Sequence, residues 1–120
     1  MGLELIKSSK KNKLFKIESI TEYKLIKKKI LGISPQLNSD IAFKNTDIII
    51  DFTIPKCTLE VLSIAKKLQK KVVIGTTGFT KKQEALIKLY SKQVPILKAG
   101  NMSLGVNLLM YLTEIASKSL

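Results

Sequence analysis

Short apolar runs rich in β-branched residues alternate with helix-like segments along this sequence, and this alternation limits the possible folds most. Residues 47–52 (Asp-Ile-Ile-Ile-Asp-Phe) form one such run, which is typical of a strand covered on both faces. The predicted order is helix 2–12, strand 14–20, helical turn 39–44, strand 47–52, helix 57–69, strand 72–75, helix 80–92, strand 95–98 and a final helix from 104 onward. The pattern predicts an α/β fold with a parallel sheet and helices on both faces.

The start of the chain departs from the usual order of such folds. A doubly wound nucleotide-binding fold opens on a strand and a glycine-rich turn, whereas this sequence opens on a helix-like segment. Residues 24–37 contain Gly32 and Pro35 and are predicted to form a loop. We therefore expect residues 1–120 to form a partial dinucleotide-binding domain, a doubly wound parallel sheet that lacks its first strand.

The strong positive charge raises the question of a nucleic-acid partner. Lysine supplies all 21 basic residues, and the formal net charge is +12. Recognition of base edges and bidentate binding of phosphate favour arginine, which is absent, and the lysines are spread over the whole chain. No nucleic-acid partner is therefore expected; the alternative predicts retention on DNA or RNA that survives physiological salt.

Other features of the composition concern the surroundings of the protein. No apolar run approaches the roughly 20 residues that a membrane-spanning helix needs, so no membrane partner is expected. Cys57 is the single cysteine and has no partner in the chain for a disulfide, which favours a reducing cytoplasm.

Ligands of parallel α/β sheets bind beyond the carboxyl ends of the strands, and four segments of this chain occupy such positions. Residues 75–79 (Gly-Thr-Thr-Gly-Phe) offer glycines for close approach of a ligand and hydroxyls for hydrogen bonds, although a strand-to-helix turn favours the same residues. Residues 99–107 enter a helix that Ser103 could cap. The other two segments are Glu22, an isolated acid, and residues 51–55.

Three motifs, in their order and spacing, resemble the dihydrodipicolinate reductase family. They are Ile50-Asp51-Phe52-Thr53-x-Pro55, Val73-Ile74-Gly75-Thr76-Thr77-Gly78-Phe79 and Asn101-Met102-Ser103-Leu104-Gly105-Val106-Asn107. The resemblance implies an oxidoreductase in which a nicotinamide cofactor donates hydride to the cyclic product of the preceding step of lysine and diaminopimelate biosynthesis. The substrate of the full-length family is a small dicarboxylate.

The resemblance also assigns roles to residues of this chain. Thr77 would lie near both the nicotinamide ribose and the substrate, and Glu22 would bind a ribose. Met1 and Gly2 would be the last two residues of the glycine-rich phosphate turn. The complete set implied for cofactor binding is Met1, Glu22, Gly75, Thr76, Thr77, Ala99, Gly100, Asn101 and Met102. The family's phosphate turn is otherwise missing, and Ile54 stands where many relatives carry arginine.

Two further departures concern the cofactor and the chemistry. Tyr23 stands where the family often has a basic residue for a 2′-phosphate, which favours NADH over NADPH, although Lys24 could compensate. The family's paired histidines, catalytic lysine and glycine–threonine carboxylate site belong to a second, α+β domain. This chain has no histidine, so we expect no catalytic residue and no metal site in it.

Two hypotheses follow for the chain as a whole. The first is the cofactor-binding part of a truncated or split reductase, inactive alone and dependent on a separately encoded catalytic domain or on a homo-oligomer. The alternative is a non-catalytic nucleotide-binding or interaction module. A missing strand would expose backbone groups and apolar surface, which predicts poor solubility or association.

Overall fold

A computed structural model describes residues 1–119 as a three-stranded sheet with helices. The strands are β1 (Ile48–Asp51), β2 (Lys71–Ile74) and β3 (Ile96–Lys98), all parallel and in the order β1-β2-β3. The helices are α1 (Gly2–Lys11), α2 (Asp40–Phe43), α3 (Pro55–Leu68), α4 (Lys81–Tyr90) and α5 (Leu104–Ser119). The predicted α/β class and parallel sheet are confirmed.

Local sequence signals set the ends of the helices. Pro55 occupies the first turn of α3, where its missing N–H costs nothing, and Gln69 ends that helix in the left-handed region at φ 54°. Thr80 caps α4, and its hydroxyl and the Gln83 side chain form a reciprocal capping box. Ser39 caps α2, and its side chain accepts a hydrogen bond from the N–H of Ala42.

The hydrophobic core lies between one face of the sheet and helices α2, α3 and α4. Ile49, Val72 and Ile74 line that face of the sheet and are buried. Leu62 of α3 is completely buried against them, and Ile87 of α4 joins the same cluster. The alternation of buried and exposed residues along β1 and β2 follows the two-residue period of a strand.

The opposite face of the sheet is exposed, which differs from the prediction of helices on both faces. Ile50 of β1 and Leu97 of β3 lie on that face and are 49% and 62% exposed. Strand order advances in one direction from β1 to β3, and right-handed crossovers then place α3 and α4 on the same side. Helices reach the second face of a doubly wound sheet only where the winding reverses.

The predicted strand at residues 14–20 is wrong. These residues form no strand, and Leu14 and Phe15 are exposed despite the alternating pattern of the segment. Isolated bridges join Thr21 to Gln36 and Ile30 to Ile33 just after this segment, without forming a strand. A strand needs a neighbour for its backbone hydrogen bonds, and no other strand of residues 1–119 lies beside this segment. Residues 24–37 contain no helix and no strand, as predicted.

The helices at the two ends of the chain differ from the central ones. Neither α1 nor α5 has a buried residue, and the substantial contacts between elements all lie among α2, α3, α4 and the three strands. Among residues 1–119, no helix is both long enough and apolar enough to cross a membrane.

Candidate functional site

The loops that follow the three strands meet at one edge of the sheet. The backbone N–H of Gly75 donates to the carbonyl oxygen of Asp51 (2.9 Å), and the N–H of Ala99 donates to that of Ile74 (3.1 Å). The loops beginning at Phe52, Gly75 and Ala99 are therefore neighbours. We call these three loops, with Asp51, the strand-end edge. Parallel strands impose this convergence, because their carboxyl ends share one side of the sheet.

A buried carboxylate with three threonine hydroxyls lies behind the strand-end edge. Asp51 is 3% exposed, and its Oδ1 accepts a hydrogen bond from the hydroxyl of Thr53 (2.6 Å). Its Oδ2 accepts from the hydroxyls of Thr58 (2.5 Å) and Thr76 (3.3 Å). We call these four residues the acid–threonine cluster. Sequence reasoning placed Asp51 at the edge but assigned it no role, and it did not single out Thr58 of α3.

The two threonines of the Gly-Thr-Thr-Gly motif face opposite ways. Thr76 is 3% exposed, and its hydroxyl, besides donating to Asp51, accepts from the backbone N–H of Thr53 (2.9 Å). That hydroxyl is thus occupied within the protein. Thr77 is exposed at the same edge. The sequence could have suggested that one threonine is buried and the next exposed, because successive side chains of an extended segment point to opposite sides.

Gly75 is required by a neighbouring ring. A Cβ built on Gly75 would lie 2.1 Å from Cε1 of Phe52 and 2.4 Å from Cζ, far inside van der Waals contact. The ring of Phe52 therefore fills the space in which a side chain at position 75 would stand. Sequence reasoning attributed this glycine to the approach of a ligand. Gly78, in contrast, adopts a φ of +83°, which favours glycine whatever the space around it.

The third loop of the strand-end edge is exposed and leads into α5. The side-chain oxygen of Asn101 accepts from the N–H of Ser103 (2.8 Å), and the side-chain amide of Asn107 donates to the Asn101 carbonyl (3.4 Å). A Cβ on Gly100 would meet nothing within 4 Å, so backbone atoms are open to solvent there. Met102 is also exposed.

A lysine at the end of β3 is held beside this edge. The ammonium group of Lys98 lies 2.8 Å from a carboxylate oxygen of Glu84 and 5.3 Å from the ring centroid of Phe79. Because a cation attracted by an aromatic face and a carboxylate is restrained, Lys98 supplies a fixed positive charge one residue before Ala99. In the sequence, only the position of Lys98 at the end of a predicted strand pointed to this residue.

Two residues of the predicted site, Met1 and Glu22, form no hydrogen bond with the strand-end edge among residues 1–119. Met1 is exposed and precedes α1, and α1 makes no substantial contact with the strands among residues 1–119. Glu22 is half-buried, and its backbone N–H donates to the carbonyl oxygen of Gln36 (2.9 Å). The structure thus gathers Gly75, Thr76, Thr77 and residues 99–102 at one edge.

Within residues 1–119, no group of three or more histidine, cysteine, aspartate or glutamate side chains is arranged to hold a metal ion. The polar groups at the strand-end edge include threonine hydroxyls, backbone amides, the side-chain amide of Asn101 and the ammonium group of Lys98. Such groups hold polar ligands in place by hydrogen bonds.

The one-directional parallel sheet and the polar loops at its carboxyl edge define an α/β domain of the class that binds ligands beyond its strands. A family model described as "Dihydrodipicolinate reductase, N-terminus" matches residues 1–102. The chain belongs to this family, as its three motifs predicted.

Individual relatives support the same assignment. The chain is 68% identical over all 120 residues to the 4-hydroxy-tetrahydrodipicolinate reductase of Pelagibacter ubique (strain HTCC1062), of which the match covers 46%. It is 47% identical over 77 residues (64% of this chain, 31% of the relative) to the protein of the same name from Rickettsia bellii (strain OSU 85-389). For Hahella chejuensis (strain KCTC 2396) the identity is 46% over 74 residues, which are 62% of this chain and 28% of the relative. The chain thus spans less than half the length of these relatives.

Proposed function

We propose that this chain is the cofactor-binding part of a 4-hydroxy-tetrahydrodipicolinate reductase, an NAD(P)H-dependent cytoplasmic enzyme of lysine and diaminopimelate biosynthesis. The reaction is the reduction of 4-hydroxy-tetrahydrodipicolinate to tetrahydrodipicolinate. The observation that carries the proposal is the convergence of three motif loops at the strand-end edge, joined by the backbone hydrogen bonds of Gly75 and Ala99. Family membership and the names of the relatives point to the same activity.

The residues at this edge fit one end of a dinucleotide. Thr77 presents an exposed hydroxyl, and the backbone around Gly100 is open to a planar amide. A bound nicotinamide cofactor would supply the hydride. Thr77 and the backbone of Gly75 and Thr76 would bind its ribose, and residues 99–102 would orient its carboxamide by hydrogen bonds from the backbone and from Asn101. Thr77 would also contact the substrate.

The fit is less complete at the phosphate and adenosine end. Gly2 begins α1, whose first backbone N–H groups have no partner within the helix and favour an anion. Met1 and Gly2 would hold part of the pyrophosphate, and Glu22 would accept hydrogen bonds from a ribose. Met1, Gly2 and Glu22 would thus form the phosphate and adenosine end of the site.

Reduction also requires a proton donor and contacts for the two carboxylates of the substrate. The 120 residues contain no histidine, and we assign no catalytic residue to them. We propose that these groups come from residues outside this sequence, in a catalytic domain or a partner subunit. By itself the chain would then bind cofactor and lack reductase activity.

A modest preference for NADH is proposed from the residues that follow Glu22. Tyr23 is exposed and offers no positive charge to a 2′-phosphate, while the ammonium group of Lys24 lies 5.4 Å from its ring centroid. Because Lys24 is close enough to compensate in part, the expected preference is small. Replacing Lys24 by alanine should weaken NADPH binding more than NADH binding, and equal losses for the two cofactors would contradict this assignment.

Calorimetric titration of the chain with NADH, and separately with NADPH, tests the proposal. Saturable binding is expected, and Thr77→Ala should weaken it about tenfold, the effect of losing one hydrogen bond to a bound ligand. Thr113→Ala, which removes an exposed hydroxyl from the middle of α5, is the matched control and should leave the Kd unchanged. Absence of heat with both cofactors in a folded sample would overturn the proposal and favour a non-catalytic interaction module.

A further inference from the structure

We infer that Asp51 is a positioning residue for the cofactor: its buried carboxylate fixes the loop after β2 relative to the loop after β1. The inference rests on the proposed function, because its consequence is the placement of Thr77 toward a bound dinucleotide. Asp51 itself is buried and would not touch the ligand.

The first argument is the cost of burying a carboxylate. An ionised group in the interior is strongly unfavourable unless hydrogen bonds or opposite charges replace water. Among residues 1–119 Asp51 forms no ion pair, and the three hydroxyls of the acid–threonine cluster are its side-chain partners. No buried side-chain nitrogen or oxygen atom in this part of the chain lacks a partner. The cluster is therefore a fully satisfied polar network, which rigidifies the groups that form it.

The second argument is the direction of each hydrogen bond. An ionised carboxylate only accepts, so each threonine hydroxyl must direct its single proton toward Asp51. The lone pairs of the Thr76 hydroxyl then remain free, and one of them accepts the backbone N–H of Thr53 at 2.9 Å. Asp51 thus determines the polarity of the bond between the two loops. A group at position 51 that also donates would allow the Thr76 hydroxyl to turn away.

The third argument is the position of the bonds along the chain. Thr53 is held twice, by its hydroxyl at Asp51 and by its N–H at Thr76, while Gly75 is held by the Asp51 carbonyl. Two of these bonds, from the Thr53 N–H to Thr76 and from the Gly75 N–H to the Asp51 carbonyl, hold the residues just before Thr77, whose own side chain is exposed. Thr58 differs, because it ties the same carboxylate to α3 and not to the second loop.

This difference supplies a matched set of variants. Asp51→Asn and Thr76→Val are expected to raise the Kd for NADH about tenfold, because the bond between the loops is lost and Thr77 is no longer fixed. Thr76→Ser keeps the hydroxyl and should lose much less affinity than Thr76→Val. Thr58→Val removes a donor on the helix side and should lower the melting temperature without changing the Kd.

The decisive measurement is the coupling between the two positions. Because Asp51 acts through Thr76, Asp51→Asn should weaken NADH binding in the unmodified chain. In a chain that already carries Thr76→Val, Asp51→Asn should cause no further weakening. Hydrogen exchange of the Thr53 amide gives an independent readout, since Thr76→Val should accelerate it while Thr76→Ser should not. If Asp51→Asn fails to fold, the comparison of Thr76→Val with Thr76→Ser carries the test.

The possible failures are distinguishable. An unmodified, folded chain that binds neither NADH nor NADPH overturns the proposed function and this inference with it. Normal NADH binding that neither Asp51→Asn nor Thr76→Val weakens overturns the inference alone. Suppose that the losses of NADH affinity in Asp51→Asn and Thr76→Val simply add, and that Thr58→Val loses as much affinity. Asp51 would then contribute only to stability.

Discussion

Helices α3 and α5 are similar in length and both rich in aliphatic residues, yet they differ completely in burial. Five of the 14 residues of α3 are buried, whereas none of the described side chains in the 16-residue α5 is. The difference follows from what surrounds each helix. Because α3 connects two adjacent parallel strands, the crossover presses it against the sheet. Among residues 1–119, α5 makes no substantial contact with any strand or other helix. An apolar stripe thus becomes core only where the topology supplies a surface.

The largest effect that tests this comparison comes from one leucine in each helix. Leu62→Ala in α3 should lower the free energy of unfolding by about 2–5 kcal/mol, because it leaves a cavity beside the sheet. Leu109→Ala in α5 should change it by less than about 0.5 kcal/mol, since this side chain is 63% exposed. Urea unfolding of both variants checks the prediction. Similar losses in the two would show that α5 is packed in solution and would break the comparison.

A smaller effect is expected at the boundary between the core and the strand-end edge. Gly75→Ala should destabilise the fold by about 1–3 kcal/mol, because the new methyl group displaces the Phe52 ring. In a Phe52→Ala background the same change should cost almost nothing. Equilibrium unfolding of the two single variants and the double variant measures this coupling. An equal cost in both backgrounds would mean that the constraint on Gly75 comes from elsewhere.

The smallest effect concerns the single cysteine, near the start of α3. Burial raises the pKa of the Cys57 thiol, the Glu60 and Asp51 carboxylates add to the rise, and Lys56 opposes it. The folded chain therefore keeps the thiol proton to a higher pH than the unfolded chain does. This contribution to stability is complete below the unfolded thiol's pKa of about 8.5 and is lost as the pH rises through the folded pKa.

The free energy of unfolding, measured at about pH 7 and about pH 9.5, tests this contribution of the thiol, because the two pH values lie on either side of its unfolded pKa. Cys57→Ala serves as the control. The unmodified chain should lose more stability between the two pH values than the variant, because only its thiol titrates. Equal losses would contradict the assignment of Cys57 to the packed side of α3. This thiol should also react slowly with alkylating reagents in the folded chain, since the thiolate is the reactive form.

Much of the central fold could be read from local patterns. The predicted strands at 47–52, 72–75 and 95–98 and the helices at 57–69 and 80–92 all appear within about two residues of their observed bounds, a usual margin for element ends. Periodicity and capping residues carry this information, as the Thr80 capping box illustrates. The strand-end edge followed from the strands, because parallel order alone brings their carboxyl ends together.

The errors occurred where a pattern needed a distant partner. Residues 14–20 alternate as a strand does, but the backbone of a strand is stable only beside another strand. The exposed face of the sheet likewise depended on the direction of strand order and not on the composition of β1 or β3. No local signal carries either fact.

By itself, the sequence determined the α/β class, the packed helices, the three motifs and, through them, the family. Only the tertiary structure showed that Thr76 faces inward while Thr77 faces solvent, that Phe52 explains Gly75, and that Asp51 gathers three hydroxyls. The physical reason is the range of the interactions. Helix propensity, caps and strand patterning act over a few neighbouring residues, whereas the acid–threonine cluster joins residues up to 25 positions apart and exists only once the sheet has formed.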